Sequence, residues 1–451
     1  MNLQYDVVVI GAGISGMTTA RSLEAEGKTV CVVEAADRVG GRTWTKRDAP
    51  GGPIDFGGMY IGDTHTHSRT LGLELGLQTT PSEPHGDDLF IAGGCTYIAP
   101  AGEIQHLPFA KAYQVATDAI DELSKAVGFV APWESPLAAE LDRITAMQWF
   151  QNNIADPTAR SLHAQHVRAV LGAEPTEVSM LYWAYYVVEC EGMKPLLANR
   201  GGAQSDWWIG GAGQLTERMA YDLKGDVLLE WAAARVENHP EHVVISAADG
   251  RALRARAVVV AVPPSASHRI QFEPPLSRER RQLAMRTAMG RYSKIIVRYD
   301  SPFWERSGLS GCITDADTLG AAVFPGTRRG EAEGSLILFV GAGDQDRLAA
   351  FEPPESKKVV LDFLAGALGN QALTPIYYHD TVWTDDAWAQ GGPVSYMPPG
   401  VLSTSGSALR ERSGRIIFAG TEASLQWSGY MEGAVRAGQQ AAKDVGVLFA
   451  S

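Results

Sequence analysis

The stretch that most constrains the fold is a glycine-rich turn between two apolar runs near the start of the chain. Residues 5–10 read YDVVVI, an apolar and β-branched run typical of a buried parallel strand. Three glycines in G-x-G-x-x-G spacing follow, at Gly11, Gly13 and Gly16. Apolar residues then recur at helical spacing, and a second apolar run at residues 29–33 ends in Glu34. The pattern predicts a strand, a glycine turn, a helix and a second parallel strand.

Such a βαβ unit is the fingerprint of a dinucleotide-binding site, and each position in the turn has a physical role. Gly11 permits the tight turn, Gly13 lets the backbone approach a diphosphate, and Gly16 lets the helix pack on the strand. The first helical residues, Ile14 and Ser15, offer free N–H groups and a partial positive charge to that diphosphate. The turn therefore predicts that a dinucleotide binds at this helix N-terminus.

Glu34 bears on which dinucleotide is bound. It follows Gly16 by 18 residues, where an acid accepts a hydrogen bond from a ribose hydroxyl. An acid there disfavours a 2′-phosphate, so NADP is not expected, whereas FAD and NAD both remain open. Residues 37–42 add two glycines and two arginines, which suit a second approach to a diphosphate. The candidate cofactor contacts in this stretch are Glu34, Ala35, Arg38, Gly41 and Arg42.

Composition and charge exclude several other functions. The chain has 451 residues and a formal net charge of −13. This length predicts one to three domains, and the negative charge argues against nucleic acid, which needs a basic face. The four cysteines form no CxxC pair, so neither a disulfide framework nor a zinc motif is indicated. His65 and His67 are too few for a metal site, and we expect them to be solvated loop histidines.

The sequence shows no signal for export or membrane insertion. The first strand begins at Tyr5, which leaves no room for a signal peptide before it. No run of 18 or more apolar residues is present. We therefore expect a cytoplasmic protein that neither spans nor is anchored to a membrane.

Residues 5–42 resemble the N-terminal signature of the flavin amine oxidase family, which also includes phytoene desaturases and protoporphyrinogen oxidases. Residues 53–62 resemble the family segment that passes beside the flavin ring. This second segment adds the candidate cofactor contacts Gly57, Gly58, Met59 and Tyr60. By the same resemblance, the backbone at Val236 touches the adenine, and Trp383 is a further cofactor contact. FAD is therefore the implied cofactor.

The most specific resemblance lies near the C-terminus. Residues 414–422 read as a buried strand that ends in a turn, and residues 427–438 begin a helix rich in very small residues. Small residues let a helix lie against a flat ring or a sheet. Both segments closely resemble the C-terminal flavin segment of monoamine oxidases. They add the candidate cofactor contacts Gly420, Thr421, Glu422, Tyr430 and Met431.

Lys294 gives a second link to the amine oxidases, because residues 289–304 match the family segment that carries the active-site lysine. The resemblance implies that Lys294 lies near flavin N5 through a water, where a cation favours the reaction with oxygen. It also implies that Tyr430 forms one wall of an aromatic cage for the amine. The implied reaction is oxidation of a primary or secondary amine to an imine by hydride transfer to flavin N5. O2 is then reduced to hydrogen peroxide, and the imine is hydrolysed to a carbonyl compound.

The candidate substrate pocket departs from the monoamine oxidase pattern at two positions. Val394 stands where those enzymes carry the second ring of the cage, and Trp427 or Trp383 could replace that ring. The missing ring favours a cyclic or bulky amine over a small arylalkylamine. Pro393 stands where monoamine oxidases attach the flavin through a cysteine, so we predict non-covalent FAD. Two further pocket candidates are Leu197 and Gln204, the latter placed beside the substrate by resemblance.

These signals together predict an α/β protein with a discontinuous Rossmann-like FAD-binding domain and a second, α+β substrate domain that carries a helical insertion. The predicted FAD domain comprises residues 1–77, 205–275 and 400–451, and the substrate domain comprises residues 78–204 and 276–399. Helical periodicity predicts helices at residues 110–127, 136–150, 156–170 and 177–189. Ser135 is the predicted cap of the second of these helices. We expect the insertion to determine substrate selectivity.

Three alternative functions remain open on the sequence alone. An L-amino acid oxidase needs an arginine to clamp the substrate carboxylate, for which Arg200 and Arg168 are candidates. A desaturase with another electron acceptor would react slowly with oxygen, and a non-catalytic binding protein would hold no flavin. The sequence also leaves the oligomeric state open, including a homodimer.

Overall fold

Two large β-sheets organise the chain, of which the computed structural model describes residues 4–82, 84–100, 102–327 and 332–450. One sheet has eight strands and the other seven, and helices cover both. The predicted α/β class with a Rossmann-like unit and a second α+β domain is confirmed. The strands of the eight-stranded sheet come from each of the three segments that the sequence assigned to the FAD domain. The domain boundaries themselves stay predictions.

The Tyr5–Ile10 strand lies at the centre of the eight-stranded sheet. It pairs in parallel with Val30–Val33 on one side and with Ala252–Val260 on the other. Both faces of these strands are covered, which explains their nearly continuous apolar sequences. The order across the sheet is Asp226–Leu228, Val30–Val33, Tyr5–Ile10, Ala252–Val260, Val243–Ala247, Ala233–Asn238 and Gln271–Glu273, and Ile416–Phe418 pairs with Ala252–Val260.

Two helices from opposite ends of the chain pack side by side on this sheet. The Ile14–Ala25 helix follows the glycine turn directly, and the Met431–Ala450 helix is the last element described. Gly438 allows close contact, because a Cβ there would lie 2.4 Å from the Ser15 carbonyl oxygen. The first and last predicted cofactor segments therefore meet in space.

The seven-stranded sheet forms the core of the second domain. Its Tyr292–Tyr299 strand carries Lys294 and pairs antiparallel with both Gly334–Gly341 and Tyr377–Val382. The order across the sheet is Tyr377–Val382, Tyr292–Tyr299, Gly334–Gly341, Ala321–Pro325, Leu309–Asp315, Asp87–Ala92 and Cys95–Pro100. The smaller sheets are Thr45–Lys46 with Ile54–Asp55, Tyr60–Ile61 with Asp206–Trp208 and Thr79–Pro81, and Ala288–Met289 with Ser395–Tyr396.

The helical insertion agrees with the sequence prediction in three of its four helices. The structure has Ala110–Val127, Pro157–Leu171 and Met180–Glu189, the last beginning three residues later than predicted, after the N-cap Ser179. The predicted helix at 136–150 is wrong: it is two helices, Ala138–Leu141 and Ala146–Asn153. Ser135 is therefore not the N-cap that was predicted: Leu137 stands at the N-cap of the first piece, and Thr145 caps the second through a capping box with Gln148.

Eight further α-helices complete the described part of the fold. They are Thr66–Glu74, Met193–Leu197, Gln214–Asp222, Pro264–Ser267, Arg278–Arg286, Ala342–Ala349, Pro353–Leu368 and Leu402–Ser405. Short 3-10 helices occur at Pro132–Glu134, Phe303–Ser307, Asn370–Leu373, Trp383–Asp385, Gly406–Leu409 and Thr421–Ala423. Within the described ranges, no helix has both the length and the apolar character that crossing a bilayer requires.

Candidate active site

A cavity of about 1030 Å³ runs from the glycine turn of the first sheet to the second sheet and the helical insertion. This volume lies at the upper end of the range for small-molecule sites, which suits a dinucleotide together with a second, smaller molecule. Many of the predicted cofactor residues line it, namely Gly11, Gly13, Ile14, Ser15, Glu34, Arg38, Gly41, Arg42, Gly57, Gly58, Met59, Tyr60, Trp383, Thr421, Tyr430 and Met431. The predicted catalytic Lys294 lines it too.

The glycine turn forms the end of the cavity suited to a dinucleotide diphosphate. Gly11 has φ of 104°, and a Cβ at Gly16 would lie only 1.9 Å from the Gly11 carbonyl oxygen, so both positions require glycine. Ser15 is buried, and among the described residues its Oγ has no hydrogen-bond partner. A buried hydroxyl without a partner at a helix N-terminus fits a bound diphosphate, which would satisfy it.

Glu34 closes the same end of the cavity. Its carboxylate accepts hydrogen bonds from the backbone N–H of Ala12 at 2.7 Å and of Ala36 at 2.9 Å. These bonds hold the carboxylate at the cavity wall and leave it acceptor capacity for a ribose hydroxyl. Burial nevertheless raises the pKa of Glu34, because desolvation disfavours the charged form.

Lys294 lies beside Gly57 and Met59 in the cavity wall and is almost completely buried. Its Nζ donates to the Gly57 carbonyl oxygen at 2.8 Å and contacts the Met59 sulfur at 3.1 Å. The Phe339 ring centroid lies 5.6 Å from Nζ. Burial lowers the pKa of Lys294 to about 8. The resulting ammonium lies beside the glycine segment that the sequence assigned to the flavin ring.

The C-terminal segment brings Tyr430 and Met431 to the cavity. Thr421 fixes the turn before the last helix, because its Oγ1 accepts from the Gly429 N–H at 3.0 Å and donates to the Tyr430 carbonyl oxygen at 3.1 Å. The N-terminus of the Met431–Ala450 helix therefore lies at the cavity wall, where its partial positive charge favours an anion.

Some predicted cofactor residues lie behind the cavity wall instead of on it. Glu422 pairs with Arg42 at 2.7 Å, and Arg42 also donates to the Pro393 carbonyl oxygen at 2.8 Å. Glu422 therefore fixes a side chain that does line the cavity. Val236 is fully buried in the Ala233–Asn238 strand. The predicted cofactor residues absent from the wall are Gly16, Ala35, Val236, Gly420 and Glu422.

The four predicted pocket residues divide in the same way. Leu197 and Gln204 line the cavity, whereas Val394 and Trp427 are buried in the core of the helical region. Burial raises the pKa of the Tyr430 phenol well above its usual value, an effect that the nearby Gln204 partly opposes. One of the two tryptophans considered as a second ring, Trp383, does line the cavity, and its Nε1 donates to the Phe56 carbonyl oxygen at 3.0 Å.

His65 corrects the expectation of solvated loop histidines. It is fully buried, its Nδ1 accepts from the Gly62 N–H at 2.8 Å, and burial lowers its pKa to about 4. Its ring meets Trp427 edge-on at 4.4 Å and Tyr430 at 5.6 Å. His65 and Trp427 thus support the Tyr430 ring from the side away from the cavity.

The sequence reasoning missed much of the substrate side of the cavity. Tyr186, Tyr292 and Phe339 line it, as does one face of the Pro157–Leu171 helix. That face consists of Leu162, Gln165, His166, Ala169 and Val170. Their spacing is an ordinary amphipathic stripe, so the sequence predicted the helix but gave no sign of which cavity it would face.

The two arginines considered for a carboxylate clamp are both engaged. Arg168 pairs with Glu174 at 3.0 Å and does not line the cavity. Arg200 lines the cavity, is exposed, and donates to the Pro84 carbonyl oxygen at 2.5 Å. Neither side chain has the unpaired, inward-facing guanidinium that a carboxylate clamp requires.

Comparisons with known proteins agree with this site. The profile of the family described as flavin containing amine oxidoreductase matches residues 14–446. The chain is 37% identical over 446 residues to a putative flavin-containing monoamine oxidase, AofH, of Mycobacterium tuberculosis, covering 98% of this chain and 97% of that protein. It is 34% identical to flavin-containing amine oxidase B of Sus scrofa, covering 99% of this chain and 86% of that protein.

Solved structures of amine oxidases share the whole fold. The cyclohexylamine oxidase of Brevibacterium oxydans is 48% identical with a TM-score of 0.96, covering 99% of this chain and 100% of that one. A putrescine oxidase bound to putrescine is 29% identical with a TM-score of 0.93, covering 99% of each chain. The family match spans nearly the whole chain, and the glycine turn of the cavity suits a dinucleotide diphosphate. The chain belongs to the flavin-containing amine oxidoreductase family and is an FAD-dependent amine oxidase.

Proposed function

We propose that the chain oxidises a cyclic or otherwise bulky primary or secondary amine to an imine, with FAD bound non-covalently. The observation that carries this proposal is the convergence of Lys294, Tyr430 and Gln204 on one cavity. Val394 carries no ring and lies in the core behind the cavity wall, so it supplies no second ring opposite Tyr430. The similarity to an enzyme named cyclohexylamine oxidase supports the same substrate class.

The protein residues bind the amine and exclude water from it. Apolar and aromatic side chains, among them Leu197, Tyr292 and Phe339, form the walls on the substrate side. Such walls favour the neutral amine, because an ammonium ion would lose much of its hydration against them. Tyr430 and Gln204 orient the amine, and Lys294 holds a positive charge beside Gly57 and Met59. FAD, when bound, supplies the acceptor for two electrons and a hydrogen.

The overall reaction balances with O2 and water as co-substrates. The amine loses two electrons and two hydrogens as its C–N single bond becomes a C=N double bond. Molecular oxygen takes up the two electrons and two protons and leaves as hydrogen peroxide. Water then adds to the imine, which releases a carbonyl compound and ammonia, or a smaller amine when the substrate is secondary.

Non-covalent binding of FAD is supported by the residue at position 393 and by the placement of the cysteines. Pro393 lines the cavity where monoamine oxidases carry the attaching cysteine. Cys312 also lines the cavity, but it lies on a strand of the second sheet, where burial raises its thiol pKa beside Asp88. Acid denaturation of the purified protein should leave the yellow flavin in solution. Flavin that precipitates with the polypeptide would contradict the proposal.

The substrate proposal is tested with a panel of amines and a hydrogen peroxide readout. Cyclohexylamine should give a higher kcat/KM than benzylamine, phenethylamine or putrescine. Tyr430→Phe should retain most of this activity because the ring remains, whereas Tyr430→Leu should lose most of it. Flavin content is compared among the variants so that lost cofactor is not mistaken for lost catalysis. Peroxide from none of these amines would overturn the proposed function.

Two finer expectations from the sequence stay predictions. One is the cytoplasmic location, and the other is the oligomeric state, including a homodimer. Cell fractionation and light scattering of the purified protein would measure them directly.

A further inference from the structure

The substrate side of the cavity contains a histidine that the proposed reaction does not use. His166 lies on the cavity-facing stripe of the Pro157–Leu171 helix, beside Gln165 and one turn from Ala169. Gln165 is polar too, but its side-chain N–H already donates to the Gly320 carbonyl oxygen, and the other members of the stripe, Leu162, Ala169 and Val170, are apolar. His166 is therefore a polar ring on a largely apolar helix face, a feature from which a binding role can be argued.

His166 is held in a fixed orientation by its neighbours. Its Nε2 lies 2.8 Å from the Tyr113 hydroxyl. The Tyr113 ring in turn stacks on His163, with centroids 4.7 Å apart and an interplanar angle of 15°. His163 Nε2 lies 3.3 Å from the Tyr113 carbonyl oxygen, which ties the three side chains together. The imidazole is therefore pre-positioned, so it loses little freedom when it binds a ligand.

The second ring nitrogen of His166, Nδ1, has no hydrogen-bond partner within the described part of the chain. It is nevertheless not one of the fully buried polar atoms that lack a partner. Since His166 lines the cavity and its Nε2 is engaged by Tyr113, Nδ1 is the ring nitrogen left to bond a molecule there. Burial lowers the pKa of His166 to about 3, so the ring is neutral at physiological pH. When the Tyr113 hydroxyl donates to Nε2, Nδ1 carries the proton and donates to an oxygen atom.

The strand that carries Lys294 connects this site with the reacting end of the cavity. Tyr292 lies two residues before Lys294, and its hydroxyl donates to the Ala169 carbonyl oxygen at 2.6 Å. Ala169 is one helical turn from His166 on the same face. Tyr430 lines the same cavity as His166, so the two residues face one continuous space.

We propose that His166 binds an oxygen-bearing group, such as a hydroxyl, carbonyl or ether, at the far end of the amine substrate. The inference rests on the proposed function, and it narrows the substrate class from cyclic amines to oxygen-substituted ones. A neutral imidazole offers a hydrogen bond and no charge, so at this position it suits an amino alcohol or amino ketone.

The test compares two amines that differ in one hydroxyl group, cyclohexylamine and 4-aminocyclohexanol as separate cis and trans isomers. The wild-type protein should prefer one isomer of the amino alcohol over cyclohexylamine by about fivefold to tenfold in kcat/KM, the worth of one neutral hydrogen bond. His166→Phe keeps a ring of similar shape but removes both nitrogens. It should abolish this preference mainly by raising KM for the amino alcohol, and the ratio of kcat/KM for the two amines is the quantity that reports the effect.

A binding measurement makes the test independent of turnover. In 1-methylcyclohexylamine the carbon next to nitrogen has no hydrogen to remove, so neither this amine nor its 4-hydroxy derivative can be oxidised there. Calorimetry should show tighter binding of the hydroxylated amine to the wild-type protein and no difference with His166→Phe. Tyr113→Phe, which removes the hydroxyl that orients the imidazole, should reduce the preference partially and serves if His166→Phe fails to fold.

The controls separate this inference from the proposed function. His268→Phe, at an exposed position, should leave every ratio unchanged. If cyclohexylamine is oxidised but the hydroxylated amines are neither better substrates nor tighter ligands, the His166 proposal is overturned while the proposed function stands. An equal loss on both amines in His166→Phe would also overturn it, because it would indicate a purely structural role.

Discussion

Burial removes the Lys294 ammonium from water and leaves it two protein acceptors, the Gly57 carbonyl oxygen and the Met59 sulfur. Neither acceptor carries a formal charge, so the positive charge is only partly compensated. This is why burial lowers the Lys294 pKa to about 8. A partly compensated cation next to the flavin segment favours developing negative charge on oxygen.

Replacing that cation tests its role in the reaction with oxygen. In Lys294→Met, the rate of flavin reoxidation by O2 should fall about 100-fold, the usual size of a lost electrostatic stabiliser. Anaerobic flavin reduction by the amine should change much less. In the wild-type protein, the oxygen rate should decline as pH rises through about 8, because the lysine then loses its charge. Stopped-flow absorbance measures both half-reactions.

Lys443→Met is the matched control, because it removes an exposed lysine from the last helix. It should alter neither half-reaction. Equal losses in reduction and reoxidation in Lys294→Met would indicate general disruption of the site instead of a role with oxygen.

Glu189 is a second buried ionisable group, and it holds the turn that precedes Tyr430. Its carboxylate accepts from both the hydroxyl and the N–H of Ser428, and its carbonyl oxygen accepts from the Trp427 N–H. The Tyr186 hydroxyl donates to the Ser428 carbonyl oxygen at 2.8 Å. Ser428 is thus held through its N–H, its hydroxyl and its carbonyl oxygen. Burial raises the Glu189 pKa to about 8.

This raised pKa predicts a pH dependence of stability. The folded protein binds the Glu189 proton more tightly than the unfolded chain, so the contribution to stability is largest at low pH. This contribution to the free energy of unfolding decreases by about 1.4 kcal/mol per pH unit as the pH rises from the pKa of Glu189 in the unfolded chain toward 8. Relative to the wild-type protein, Glu189→Gln should therefore become more stable as pH rises from 5 to 8. Thermal unfolding across this range measures the difference, and Glu191→Gln, at an exposed position, should show none.

At the scale of elements, the contact between the first and last helices depends on small residues. A Cβ at Gly438 would lie 2.4 Å from the Ser15 carbonyl oxygen and 2.8 Å from the Thr18 Cβ. Gly438→Ala should therefore destabilise the protein by about 1–3 kcal/mol and weaken FAD binding, because the displaced residues open the cofactor site. Thermal unfolding and a titration of the apoprotein with FAD measure the two effects.

The same helix provides the control for this prediction. A Cβ at Gly446 would meet nothing within 4 Å. Gly446→Ala should therefore stabilise the helix by about 0.5–1 kcal/mol, since alanine has the higher helix propensity. If both substitutions changed stability equally, close packing at Gly438 would not be the cause.

The elements that the sequence predicted well are those specified by local pattern. The glycine turn with its strands, and the helices Ala110–Val127 and Pro157–Leu171, each carry their periodicity and their boundaries in adjacent residues. The predicted helix at 136–150 failed because apolar periodicity continued across an interruption. A capping box between Thr145 and Gln148 begins a new helix inside that run, and its side-chain hydrogen bonds are set by the local backbone.

In the candidate site, too, the residues marked by a local sequence pattern were predicted and the others were missed. The predicted cofactor residues occur in short segments whose glycines and arginines, with the family resemblance, indicated close approach to a ligand, and most of them line the cavity. His65 and His166 became meaningful only after folding, when one lay behind Tyr430 and the other on the cavity wall. Nothing in their neighbouring residues distinguishes them from solvated histidines. Tertiary packing, not local pattern, decides such positions.

At the scale of the whole molecule, the cofactor site is where distant parts of the chain are joined. Arg42, from the start of the chain, pairs with Glu422, from near its end, and donates to the Pro393 carbonyl oxygen. Lys294 bonds to the Gly57 carbonyl oxygen across 237 residues. A molecule that fills the cavity touches both sheets, so binding energy for the cofactor adds directly to the stability of the assembled fold.

Removing FAD should therefore destabilise the entire protein and not only its active site. At FAD concentrations 1,000-fold above Kd, the bound form gains about 4 kcal/mol, and the apoprotein should unfold at a correspondingly lower temperature. Adding FAD back should restore the unfolding temperature. Riboflavin should restore little of it, because it lacks the diphosphate that fits the N-terminus of the Ile14–Ala25 helix and the unpartnered Ser15 hydroxyl. Equal rescue by riboflavin would show that the ring site, and not the glycine turn, supplies the stabilisation.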